Sequence, residues 1–416
     1  MTDDVLKLGI VGFGGFARAH HKAARELEKE GLCRLICATS RDPSRYADAI
    51  EGLEMEKRGV RVYRGYDEML KARAGELDVM GVPTPIHLHA PMHADCVENG
   101  IACYLEKPPT LVYDELERML KVEEKAVKST FVGFNFIYEP PRQAMKKRVL
   151  QGEFGALKRV SYLGLWARPA SYYERAGWAG KLFLEDYPVL DSCLGNAMAH
   201  LVFNILFWCG TGELLSWGEV EHVRAELYRA NPIQSTDTMF VSGVTKNGIE
   251  LRFAASHACE EGWLCDEIIE CEKARIVYRL SSGYTIEWTD GKRETGELAR
   301  GNATVENFRR YLAYVRGEEK RPLIRLADTE SYVRFYDLIY VAARNITPVP
   351  EQSIKHIVHE DSGEEYHTVR GLSDAARVMV NEGRMPGEQG LRWAKSGGEA
   401  GAGDLGGLYD VLNRMR

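Results

Sequence analysis

The chain has 416 residues, 45% hydrophobic and 28% charged, and its 54 Lys and Arg against 61 Asp and Glu leave a formal charge of −7. That is ample apolar material for a large core, which excludes a disordered or collagen-like chain, and an acidic balance with no cluster of surplus cations excludes a nucleic-acid or anionic-membrane surface. The most apolar run, Leu201 to Cys209, is interrupted by Asn204 and falls far short of the ~20 residues of a membrane span.

The opening residues Met1-Thr2-Asp3-Asp4 are acidic and lead straight into Val5 to Val11, with none of the pattern of a secretory leader, so the expected compartment is the cytoplasm. Over residues 1–135, short β-type runs alternate with helical stretches: Lys7 to Val11, Arg34 to Ala38, Val60 to Tyr63, Asp78 to Val82, Ile101 to Leu105 and Thr130 to Phe134. An amphipathic stretch from Phe16 to Glu30, ended by Gly31, joins the first two in the order of a right-handed crossover. The expected fold class is α/β, beginning with a doubly wound parallel sheet. From about Gly152 the pattern changes to alternation, with candidate strands at Lys158 to Trp166, Glu219 to Tyr228, Thr238 to Val244, Gly248 to Ala255 and Ile268 to Leu280. Asn247-Gly248 is a strong hairpin signal, because a two-residue turn needs the positive φ these residues tolerate. Residues 136–345 therefore read as an α+β domain with one large, mostly antiparallel open sheet. A long apolar helix is expected from Leu194 to Trp208, and another from Asp328 to Arg344 that packs back on the first domain. Beyond Pro348 the chain turns polar, with a Gly-rich stretch at Gly397 to Gly407, and 346–416 is read as an extension whose order the composition leaves open. The nine cysteines are scattered without a Cys-x-x-Cys and read as reduced core thiols.

Directly after the first strand comes Gly12-Phe13-Gly14-Gly15-Phe16-Ala17, a G-x-G-x-x-A pattern opening a helix. Gly12 allows the sharp turn, Gly14 lets the backbone approach a pyrophosphate, Ala17 keeps helix and strand close, and the helix N-terminus supplies NH groups and positive potential. The pattern predicts a dinucleotide site. The second strand ends in Thr39-Ser40-Arg41-Asp42, where an acid usually meets the free ribose hydroxyls of NAD. Ser40 and Arg41 in that place favour NADP over NAD, since a guanidinium suits a 2′-phosphate; the alternative is a solvated Arg41 with Asp42 on the ribose.

Two further motifs, Glu106-Lys107-Pro108 after the fifth run and Pro83-Thr84-Pro85-Ile86-His87 after the fourth, combine with the Gly loop and His20. Together they resemble the glucose-fructose oxidoreductase, inositol dehydrogenase and MocA (Gfo/Idh/MocA) family over roughly residues 5–345. The resemblance implies a Rossmann domain joined to an α/β domain whose open antiparallel sheet backs the substrate pocket and carries homo-oligomer contacts. It implies that Pro83, Thr84, His87, Glu106, Lys107 and Asn135, the last within Gly133-Phe134-Asn135, line the nicotinamide cofactor, with Lys107 at the catalytic site. Removing a hydride from an alcohol also removes the hydroxyl proton, so a group that relays that proton is required.

Asn196, His200 and Asn204 recur every four residues on an otherwise apolar helix and so share one face. The family pattern is an Asp followed four residues later by a His. His200 fits the second position, but Asn196 stands in the first, and Phe203 stands where many members have a further Asp. An amide orients a hydroxyl but takes no proton, so either the base role passes to His200 and Lys107 or the ordinary polyol dehydrogenation is altered. Trp166, Arg168, Tyr172, Tyr173, Trp178 and Lys181 form a composition suited to stacking on a sugar face and bonding its hydroxyls. His87, His89 and His93 lack a supporting carboxylate array, and no metal is expected. The expected activity is an NAD(P)-dependent oxidoreductase acting on a carbohydrate, cyclitol or related polyol. The alternatives are a glycosidase using transient oxidation by bound nicotinamide and a non-catalytic dinucleotide-binding protein.

Overall fold

Residues 5–280, 282–298 and 301–416 are described by the computed structural model. They fall into two units: residues 5–110, 114–138 and 301–330 in the first, and 111–113, 139–280, 282–298 and 331–416 in the second. Among the described residues, no helix is long and apolar enough to cross a membrane.

In the first unit, strands β1 (Leu6–Val11), β2 (Cys33–Thr39), β3 (Arg61–Tyr63), β4 (Val79–Val82), β5 (Ala102–Leu105) and β6 (Phe131–Val132) form a parallel sheet in the order 3-2-1-4-5-6. Helices α1 (Ala17–Lys29), α2 (Ala47–Gly52), α3 (Tyr66–Arg73), α4 (His89–Glu98) and α5 (Tyr113–Glu123) connect them. The strand order reverses between β1 and β4. At that switch point the carboxyl ends of open α/β sheets leave a crevice for ligands. All six β-type runs therefore form strands in the expected sheet.

The second unit opens with α6 (Pro140–Leu150), β7 (Leu157–Leu165), the two-residue strands β8 (Phe183–Leu184) and β9 (Tyr187–Pro188), and α7 (Ala199–Cys209). The sheet continues through β10 (Val220–Arg229), β11 (Thr238–Thr245), β12 (Glu250–Ser256), β13 (Leu264–Cys271), β14 (Ala274–Arg279), β15 (Gly283–Trp288) and β16 (Arg293–Gly296). With β17 (Ile346–Pro348) and β20 (Gly398–Gly401) they make a ten-stranded sheet, antiparallel except where β7 pairs with β12 and β10 with β17. The expected single strand from Ile268 to Leu280 is two strands that turn at Glu272-Lys273. Neither turn residue has positive φ, so no Gly or Asn punctuates it. Strands β15 and β16 were not among the expected strands, although Asp290-Gly291, with Gly291 at φ 89°, supplies the usual hairpin signal.

A second correction concerns the helices. The expected helix from Leu194 to Trp208 is a π-helical turn over Cys193–Ala197, capped by the Ser192 hydroxyl on Gly195 N, followed by α7 from Ala199. Helix α9 (Glu330–Ala343) lies in the second unit from Ser331 on, and α8 (Ala303–Arg316) lies in the first, where its Phe308 ring is 4.1 Å from Tyr104 and 4.9 Å from His20.

The extension is ordered and belongs to the second unit. Hairpin β18 (Ile354–Val358) and β19 (Glu365–Val369) precede α10 (Leu372–Glu382), whose Leu372, Ala375, Ala376, Met379 and Val380 form a buried helical stripe against Leu163, Leu165, Phe240 and Ala254 of the sheet. Arg252 donates to the carbonyls of Val380 and Asn381, closing the C-terminus of α10 with a cation. The Gly-rich stretch is a site of close approach. A Cβ on Gly397 would stand 1.8 Å from Ala225 O, so only glycine lets β20 join β10; α11 (Leu408–Met415) then ends the chain. Helix α10 and Trp393 thus cover part of one face of this sheet. What remains on β14 to β16 is a polar groove of about 500 Å³ with Arg275, Arg279, Glu287 and Arg293 in its wall.

Candidate functional site

The Gly loop is fixed from behind. Gly12, at φ 91°, donates its N–H to Thr39 Oγ1 at 3.0 Å, while its carbonyl lies 2.9 Å from His21 Nε2. His21 is buried, which pulls its pKa down to about 4, and stacks on Phe13 at 4.3 Å. Gly15 also takes a left-handed φ of 52°, and Phe16 is exposed. No side chain caps the N-terminus of α1, so its positive end faces the loop. A Cβ on Gly14 would meet the Tyr46 hydroxyl at 2.8 Å. Gly14→Val should therefore displace Tyr46 and fill the space the loop backbone leaves for a pyrophosphate, weakening both NADH and NADPH. A fluorescence titration with undiminished affinity for either cofactor would refute the loop's role.

At the end of β2, Ser40 is buried with its hydroxyl unpartnered, an orphaned polar atom of the kind a bound ribose or phosphate would satisfy. Arg41 is exposed. Asp42 is engaged locally: its carboxylate accepts from the Ser44 hydroxyl and, at 3.2 Å, from Arg45 N, and the Ser44 bond holds its pKa below the usual range.

The Pro83-Thr84 and Lys107-Pro108 loops are joined by a residue given no role in the sequence reading beyond a discarded metal ligand. His89, fully buried, places its ring nitrogens 2.8 Å from Thr84 O and 2.9 Å from Pro108 O. Thr84 Oγ1 turns to Met92 Sδ, and His87 sits in the 3₁₀ turn after Pro85, its pKa lowered by burial and by Arg41. Glu106 is buried and bonded within the first unit. One carboxylate oxygen is 2.9 Å from His20 Nε2 and the other accepts from Lys107 N at 3.2 Å. Gly133 leaves room for it, since a Cβ there would lie 2.8 Å from Glu106 Oε1. This pair ties the Lys107 loop to α1, and Lys107 itself is half-buried. Asn135 is buried and accepts from Asn307 of α8 at 3.3 Å.

In the second unit Asn196 sits in the π turn that precedes α7, so it and His200 do not belong to one uninterrupted α-helix. Asn196 donates its amide to Asp191 at 2.8 Å, whereas the buried Asn204 donates to Glu267 at 2.8 Å and is structural. His200 is half-buried on the first turn of α7. Asp191 was not singled out in the sequence, yet it is buried and collects Gly180 N at 2.7 Å, Arg175 at 3.1 Å and Asn196. The carboxylate missing at position 196 thus stands directly behind it; a lone acid in the apolar run Val189-Leu190-Asp191 was the available signal. The predicted aromatic cluster forms a ladder. Arg168 lies 3.8 Å from the Trp166 ring and 4.7 Å from Tyr172, and Arg175 lies 3.8 Å from Tyr172 and 4.6 Å from Trp178. Tyr173 stacks edge-on with Tyr172.

His93 is taken by Glu123 at 2.7 Å, so His87, His89 and His93 make no ligand set. Among the described residues, His356, Glu365 and His367 on the β18–β19 hairpin bring their ligating atoms within 4.8 Å of one another, and Glu351 also bonds His356 at 2.8 Å.

Residues 6–134 match the oxidoreductase family with an NAD-binding Rossmann fold. The chain is 27% identical over 194 residues to an inositol 2-dehydrogenase of Rhizobium meliloti, covering 46% of this chain and 56% of that one. It is 28% identical over 159 residues to an alpha-N-acetylgalactosaminidase of Shewanella oneidensis, covering 37% and 34%. It thus spans between a third and just over half of these relatives. The fold is that of the WlbA dehydrogenase from Bordetella pertussis, solved with NADH and UDP-GlcNAcA, at a TM-score of 0.66 and 21% identity over 82% of this chain and 97% of that one.

Proposed function

We propose, from the premise that over residues 6–134 the chain belongs to the Gfo/Idh/MocA oxidoreductases, that it transfers hydride between a nicotinamide cofactor and a hydroxyl or carbonyl of a sugar, cyclitol or related polyol. The observation that carries this reading is the pinned loop from Gly12 to Ala17 at the switch point of the parallel sheet, with the Lys107 loop braced through Glu106 and His20. A bound nicotinamide would supply the hydride acceptor. Lys107 and His200 would hold or relay the hydroxyl proton, and Asn196, its amide turned to Asp191, would orient the substrate. Purified protein should change the NAD(P)H absorbance with at least one member of a broad polyol and sugar panel; a protein that binds cofactor yet changes it with none would overturn the reading.

NADP(H) is the favoured cofactor on this reading. Asp42 is committed to its own turn, which leaves Arg41 and the orphaned Ser40 hydroxyl as the polar groups offered at the end of β2. Loss of a charge-assisted phosphate contact costs about 1.5–3 kcal/mol, so Arg41→Ala should weaken NADPH about 10- to 100-fold and leave NADH nearly unchanged. Equal affinity of the wild type for both cofactors would refute the preference.

The similarity to an alpha-N-acetylgalactosaminidase favours one second reading, glycoside cleavage through transient oxidation by a retained cofactor. Release of the aglycone from a chromogenic glycoside without net cofactor change would select it.

A further inference from the structure

Arg168 follows β7, with its backbone N–H donated to His257 O at 3.1 Å. Its guanidinium rests on Trp166 and Tyr172, Nε is buried without a partner, and among the described residues no carboxylate lies within 4.0 Å of it. A half-buried cation without a counter-charge is costly and ordinarily finds an acid. Its neighbour on the ladder does so: Arg175 is neutralised by Asp191. Two more buried polar atoms beside Arg168, Tyr173 Oη and His257 Nε2, also lack a partner. The segment is held in place by the extension, through the Ser171 hydroxyl donated to Glu364 at 2.6 Å.

We infer that Arg168 receives a carboxylate of the substrate, so that the sugar or polyol taken by this site is a sugar acid. The inference rests on the reading that the ladder belongs to the substrate site. One planar fork, stacked on aromatic rings, presents its edge to an anion, which matches the two coplanar oxygens of a carboxylate. The charge count agrees. Arg175 is already paired, and burial together with Arg168 and Arg175 drives the pKa of His257 down to about 3, so among the groups stacked in the ladder Arg168 is the cation left without a counter-charge.

The test uses the full chain and matched probes: D-glucose, D-glucuronate and D-glucose 6-phosphate, with the corresponding galactose set. Binding is followed by saturation-transfer NMR, and turnover separately by NAD(P)H absorbance. The wild type should bind an acid about 10- to 100-fold more tightly than its neutral counterpart, R168Q should lose that preference, and R168K should keep part of it. Should R168Q fail to fold, the partial loss in R168K decides. Equal binding of acid and neutral sugar, a preference that survives both variants, or no Arg168-dependent binding across the panel would overturn the inference. Tighter binding of the sugar phosphate would overturn the carboxylate assignment. Arg168-dependent binding of acids without any cofactor turnover would leave this inference standing and sink the oxidoreductase reading.

Discussion

Lys107→Ala is expected to lower kcat by about 10²-fold or more, the range of general acid–base contributions, while cofactor affinity is largely kept. The separation follows from how the loop is built. The Lys107 backbone N–H is held by Glu106, Glu106 by His20, and the next turn of chain by His89, so truncating the side chain leaves these three loop contacts in place. His200→Ala should show a loss of the same order. Asn196→Ala should act mainly on KM, because the amide is already committed on one side to Asp191 and contributes orientation rather than proton affinity. Steady-state kinetics on the three variants decides. Wild-type kcat in either Lys107→Ala or His200→Ala removes that residue from the chemistry, and an Asn196→Ala enzyme as inactive as Lys107→Ala shows that the Asp191–Asn196 pair does more than orient.

The largest effect on stability is expected at Glu267. Its carboxylate takes two bonds from Arg142, at 2.6 and 3.1 Å, one from Asn204 at 2.8 Å and one from Trp208 Nε1 at 2.6 Å, with all these groups buried. Glu267→Gln keeps the shape, removes the charge and turns an NH₂ toward donors that have nowhere else to go. Breaking a buried pair in this way costs about 3–5 kcal/mol. Glu139, which also bonds Arg142 at 3.1 Å, retains part of the compensation and sets the expected value toward the lower end. By contrast, Glu153→Gln, at the partly exposed Arg148 pair, should cost no more than about 1 kcal/mol. Urea unfolding followed by tryptophan fluorescence measures this directly, since all seven tryptophans lie in the second unit. A cost below about 1 kcal/mol for Glu267→Gln would contradict the account.

The parallel sheet was legible because each strand is a short apolar run bounded by a helix, and the phosphate loop because its glycines have fixed steric duties. What escaped was set by tertiary contact. The Glu272-Lys273 turn needs no positive φ, and its two N–H groups are taken by Ala156 O and Phe154 O, partners more than a hundred residues away in sequence. The even spacing of Asn196, His200 and Asn204 assumed an uninterrupted helix, and the π turn broke the assumption while revealing Asp191 as the partner of Asn196. The bracing contact of Glu106 was not legible, since only the fold shows that His20 comes back to meet it. Gly397 and Gly398 stood in a stretch whose order the composition left open, and their missing side chains are what β10 and Ala342 O approach.

The covering of the sheet by α10 has a consequence for biosynthesis. Strands β7 to β16 are complete in the growing chain by Gly296, whereas the apolar stripe of α10 begins only at Leu372. At ribosomal rates of about 5–20 residues per second, the delay is on the order of ten seconds. For that time Leu163, Leu165, Phe240 and Ala254 have no helix to meet, so the nascent protein passes through a stage in which a chaperone, or another unfinished copy, competes with its own C-terminus for that face.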